Sequence, residues 1–123
     1  MNIIEQGKIP SIDGIQYARN DAGLYAFRVN NGFDPAYQTA FAYTSFKPLT
    51  DSLLCVGRID TDGKERFGVI SIESSFFTAC KFDQFKPYNE RLVRAYIRDK
   101  VHYVNSDAEI FSKEIIDLRE QYK

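Results

Sequence analysis

Ser52-Leu-Leu-Cys-Val-Gly-Arg-Ile-Asp-Thr-Asp-Gly-Lys-Glu-Arg-Phe-Gly-Val-Ile-Ser-Ile72 places two apolar runs on either side of an Asp/Gly turn. Such a pattern predicts a β-hairpin. Gly63 supplies the positive φ of a tight reversal, and Asp60 and Asp62 can bond their own backbone. The runs are rich in Val, Ile and Leu, so the hairpin is expected to sit at the centre of a sheet.

Upstream, Leu24 to Val29 alternates, with Tyr25, Phe27 and Val29 on one face and Ala26 and Arg28 on the other. Ile15 to Arg19 reads as a short strand, and the first twelve residues as an edge strand or a frayed end. Residues 34–46 carry two signals. Asp34-Pro35 resembles an N-cap followed by Pro at N1, whereas Tyr37, Thr39, Phe41 and Tyr43 alternate. The alternation favours a strand pairing back on Leu24–Val29. Downstream, Phe76 to Phe82 reads as a further strand, with a short helix as the alternative.

From Tyr88 onward the period becomes helical. Leu92, Val93, Tyr96, Ile97, Val101 and Val104 form one stripe of a helix over about 89–104. Ser106-Asp107-Ala108-Glu109 has the form of a capping box and predicts a second helix over about 107–121, burying Phe111, Ile115, Leu118 and Tyr122. No internal repeat stands out. The expected fold is therefore a single α+β domain over 1–123: an antiparallel sheet of about five strands built around 52–72, packed by two C-terminal helices.

The chain has 123 residues, 44% hydrophobic and 27% charged, which suits a globular domain with a real core rather than a disordered segment. A net charge of −1 gives no global signal for nucleic acid. Met1–Lys8 contains no long apolar segment, so no secretion signal is read there and a cytoplasmic location is expected. No run is long enough to span a membrane as a helix. Cys55 and Cys80 are then expected to be reduced, a disulfide between them being the alternative for an exported chain.

Motif tests exclude several chemistries. A calcium loop with Gly63 at its sixth position would put Arg58 first and Val69 twelfth, neither of which is a ligand. Arg66-Phe67-Gly68-Val69 lacks the first Gly and the second aromatic of an RNA-binding RNP1 strand. His102 is the sole histidine and cannot build a typical zinc site; no metal or cofactor is expected. Phosphate-binding, GxSxG and HExxH signatures are missing.

Charge is the remaining signal. Residues 86–104 hold five basic and two acidic side chains, and residues 105–123 three basic and five acidic. Arg91, Arg94 and Arg98 would share a face of the first helix. These features resemble, at the level of a class, small inhibitors such as immunity or antitoxin proteins. The expectation is a cytosolic protein-binding inhibitor, monomer or homodimer, that occludes a toxin or enzyme. Its contact residues would be Asp60, Asp62, Glu65, Glu114 and Asp117, with Arg91, Arg94 and Arg98 as the alternative surface. Two other readings stand beside it: a small hydrolase or transferase using His102 with a carboxylate or a cysteine, and a phage or plasmid accessory protein binding a host factor.

Overall fold

The central hairpin forms as expected, but its surroundings differ. The computed structural model describes residues 2–30, 37–89 and 91–113. Strands β1 (Ile3–Lys8), β2 (Ile15–Asn20), β3 (Tyr25–Val29) and β4 (Tyr37–Gln38) form a first antiparallel sheet in that order. Strands β5 (Ser45–Pro48), β6 (Leu53–Ile59) and β7 (Glu65–Ser71) form a second. Strands β8 (Gln84–Pro87), β9 (Leu92–Ile97), β10 (Lys100–Asn105) and β11 (Ile110–Ser112) form a third. Bridges Ile70–Phe77 and Phe67–Phe82 lay the 77–82 segment along β7 as a fourth run of the second sheet.

The expected α+β fold is thus corrected to an all-β one, and the single sheet to three. No helical element lies among the described residues. The stretch read as a first helix is the β9–β10 hairpin, reversing at Arg98-Asp99, with Arg98 at φ 57°. Two facts hid it. The turn lacks Gly and Asn, and the hairpin carries apolar side chains on both faces, which blurs the period of two. The residue types do favour strand: Val93, Tyr96, Ile97, Val101, Tyr103 and Val104 are β-branched or aromatic. The expected capping box is a turn instead. Asn105 Oδ1 accepts from the amides of Asp107 (3.0 Å) and Glu109 (2.9 Å), so the preceding Asn, not Ser106, organises the reversal into β11. The rest of the expected second helix, from Glu114 on, lies outside the described residues, as do Asp34 and Pro35. Tyr37–Gln38 does pair back on β3.

The three sheets stack as layers with the central hairpin in the middle one. Leu54, Val56 and Ile70 pack against Ile15, Phe27 and Val29 of the first sheet. Leu53 and Val69, on the opposite face of the same hairpin, pack with Val93, Ala95 and Val104 of the third. A strand buried on both sides reads as a continuous apolar run, which is why Leu53–Val56 does not alternate.

The layers are copies of one unit. Pairs Tyr17–Phe27, Cys55–Val69 and Arg94–Tyr103 occupy the same register position, as do Gln16–Arg28, Leu54–Ile70 and Val93–Val104. Phe46-Lys47-Pro48 and Phe85-Lys86-Pro87 enter the second and third copies 39 residues apart. Each copy stacks in the same sense, so the back of one sheet meets the front of the next.

Buried threonines serve the first two copies alike. Thr39 Oγ1 accepts from the Phe27 amide (2.9 Å), and Thr78 Oγ1 from the Val69 amide (3.0 Å). Thr39→Val and Thr78→Val each keep the shape but leave a buried N–H unpaired, so each is expected to destabilise by about 2 kcal/mol. Urea unfolding midpoints check this; a shift in one variant only breaks the equivalence of the two copies.

Candidate functional site

Among the described residues no other sheet stacks on the front of the first sheet, and its side chains differ in kind from those inside the stack. Where the second and third sheets place Leu54–Ile70 and Val93–Val104, the first places Gln16–Arg28. Register extends this pair across all four strands: Lys8 lies opposite Gln16, Gln16 opposite Arg28, and Arg28 opposite Gln38. Side chains of such a cross-strand row share one face, with neighbours about 5 Å apart. All four are exposed. The adjacent row holds Gln6, Ala18 and Ala26, and its two alanines make a low floor. The result is a hollow of about 380 Å³, continued past Lys8 and Arg28 by a second of about 680 Å³ under the Pro10–Gly14 loop.

Neither Lys8 nor Arg28 forms an ion pair among the described residues, whereas Arg66 bridges to Asp62 and Asp83. Among the described residues, no carboxylate lines the first hollow. It therefore offers two cations and three carboxamides to a ligand, a surface for negative charge and hydrogen-bonding groups. Tyr17 and Phe27 turn their rings to the other face, where Tyr17 donates to Glu5 Oε1 (2.6 Å) and Phe27 lies in the core.

The residues expected from sequence lie elsewhere. Asp60 and Asp62 lie in the β6–β7 turn, and Glu65 opens β7 beside it. Asp60 Oδ1 accepts from the Thr61 amide (2.7 Å) and Asp62 Oδ1 from the Lys64 amide (3.0 Å), as the turn reading requires. Asp62 also pairs with Arg66 at 3.1 Å. Glu65 is a cross-strand clamp: its Oε2 accepts from Thr44 Oγ1 (2.5 Å) and Ser45 Oγ (2.9 Å). Gly57 makes room for that clamp, since a Cβ there would lie 2.7 Å from Glu65 Oε2. Glu114 and Asp117 lie outside the described residues.

Arg91, Arg94 and Arg98 do not share a helix face, because the segment is a strand between two turns. Arg91 precedes β9, its amide donating to Asn89 Oδ1 (2.8 Å). Arg98 follows β9 in the turn, its amide donating to Asp83 Oδ2 (2.6 Å). Arg94 alone lies within the strand, its guanidinium 4.6 Å from the Tyr88 ring centroid, and hydrogen bonding to Tyr103 raises its pKa.

His102 sits on β10 with its ring centroid 6.5 Å from that of Phe82, and its buried Nδ1 has no hydrogen-bond partner among the described residues. Cys55 and Cys80 are free thiols. Cys80 Sγ lies 3.8 Å from the Val56 carbonyl oxygen. Among the described residues no group of three or more His, Cys, Asp or Glu could hold a metal ion. Nor is any helix there long and apolar enough to cross a membrane.

Burial pushes the Cys55 thiol up to about 11, and raises that of Cys80 too. Both groups hold their protons more tightly when folded. Their contribution to stability is complete below the unfolded thiol value and is lost as pH rises through the folded one. Unfolding free energy is expected to fall between about pH 9 and 11, with a shallower slope in Cys55→Ala. Denaturant titrations across that range check the sign; a rise with pH refutes it.

Sequence reading missed Lys8, Gln16, Arg28 and Gln38 because nothing in their spacing links them. Only pairing across four strands brings them together. The available signal was the repeat, once the first copy is set on the other two by strand register: Gln16 and Arg28 then stand as polar residues at apolar positions. Comparison of the chain with protein-family models, curated proteins and solved structures finds no match.

Proposed function

We propose that this chain is a protein-interaction module that engages its partner through the front of the first sheet. One observation carries the reading: Gln16 and Arg28 replace the apolar pairs of the other two layers, and with Lys8 and Gln38 they form an exposed polar row over a hollow. A terminal layer needs a polar outer face to stay soluble. That need alone does not call for two cations without an ion-pair partner among the described residues, set beside a row of small residues, and the concavity favours a bound partner. The narrower inhibitor reading has no observation of its own in the fold, so the proposal is confined to binding.

The test is selection from a random peptide library on the immobilised chain, with the double variant Lys8→Glu/Arg28→Glu as counter-target. Both residues are exposed, so the variant is expected to fold, which far-UV circular dichroism verifies. Enrichment of peptides that bind the parent and not the variant supports the reading. Enrichment that ignores the substitutions, or none, refutes it.

A further inference from the structure

We infer that the polar row takes an acidic polyproline II segment carrying two carboxylates at positions i and i+3. This rests on the interaction reading above and names its ligand. Lys8 and Arg28 stand two strands apart in one row. Strands are spaced about 4.8 Å apart, so the two backbone anchor points lie about 10 Å apart. A polyproline II segment advances about 3.1 Å per residue with three residues per turn, so i and i+3 point the same way about 9.3 Å apart. In an extended strand the same-side positions i and i+2 lie only about 6.7 Å apart, and i and i+4 about 13 Å.

A helix also offers a match, since i and i+7 lie about 10.5 Å apart on one face. The carboxamides decide against it. Gln16 stands between the two cations and Gln38 beyond them. A helix satisfies its own backbone, whereas polyproline II leaves its carbonyls unpaired and open to carboxamide N–H donors. A single-stranded nucleic acid would bring the same negative charge but needs aromatic stacking platforms. The rings of Tyr17 and Phe27 are packed into the core on the other side of the sheet.

The test measures fluorescence anisotropy of labelled probes on the intact chain. The probes are a proline-rich peptide with aspartates at i and i+3, one with aspartates at i and i+2, the i,i+3 peptide with asparagines, an alanine-based helix with aspartates at i and i+7, and a thymidine oligonucleotide. The i,i+3 peptide is expected to bind about tenfold more tightly than every other probe, and Lys8→Gln and Arg28→Gln are each expected to weaken it about tenfold. Equal or tighter binding of another probe overturns the inference, as does no binding of the i,i+3 peptide or binding indifferent to both substitutions. The two readings fail separately. Library peptides that depend on Lys8 and Arg28 but lack the acid pair sink the polyproline II ligand and leave the interaction face standing; no face-dependent peptide sinks both.

Discussion

Phe27→Ala is expected to remove about 3–5 kcal/mol of unfolding free energy. Phe27 is fully buried in the layer between the first and second sheets. Its ring lies 5.5 Å from that of Tyr43 and 5.4 Å from that of Phe46, centroid to centroid. Phe46 belongs to β5, so the contact ties two layers rather than two strands of one. Truncation leaves a cavity among Ile12, Ile15, Leu54 and Ile70, and sheets held by their own ladders collapse poorly into such a space. The equivalent position in the second layer is Val69, where Val69→Ala removes less volume and should cost about half as much. In a stack where each layer touches only its neighbours, damage at Phe27 should be felt first in the first two sheets. Hydrogen exchange should then show amides of β2, β3 and β6 losing protection before those of β10. Uniform loss over all three sheets would mean that the stack unfolds as one unit, and a midpoint shift equivalent to under about 1 kcal/mol would contradict the packing itself.

The sequence reading succeeded where chemistry was local. The Asp60–Glu65 reversal was legible because Gly63 and two aspartates meet within a few residues, and β3 was legible because Tyr25, Phe27 and Val29 alternate with Ala26 and the exposed Arg28. It failed where apolar residues occupy both faces. The β9–β10 hairpin places Val93 and Ala95 toward the second sheet and Leu92, Arg94 and Tyr96 on the other side. That arrangement removes the period of two and leaves spacings that a helix also fits. The candidate site was less legible still. Lys8, Gln16, Arg28 and Gln38 become neighbours only through three strand pairings, and a cross-strand row has no signature in a single run of sequence. Recognising the repeat would have supplied one, because Gln16 and Arg28 depart from their apolar equivalents only once the copies are aligned.

The second large effect should come from adding one carbon. Gly68→Ala is expected to destabilise the chain by about 3 kcal/mol, at the upper end of overpacking effects. A Cβ at Gly68 would lie 2.8 Å from the Thr78 carbonyl oxygen and 3.0 Å from that of Ala79. Both are backbone atoms, so no side chain can swing aside. The backbone at Thr78 is also held in place. Its amide donates to the Val69 carbonyl oxygen (2.9 Å), and its hydroxyl accepts from the Val69 amide (3.0 Å). Relief therefore requires β7 or the 77–82 run to move, breaking those bonds in the layer that supports both other sheets. The register equivalents mark how specific this demand is. The first sheet has Ala26 there and the third His102, each with a side chain accommodated. Ala26→Gly, the reverse change at the same position of the first copy, should cost only about 1 kcal/mol through backbone entropy. Thermal and urea unfolding of the two variants side by side gives the comparison. Equal midpoints would mean that the 77–82 run yields easily, and that the middle layer is not the rigid one.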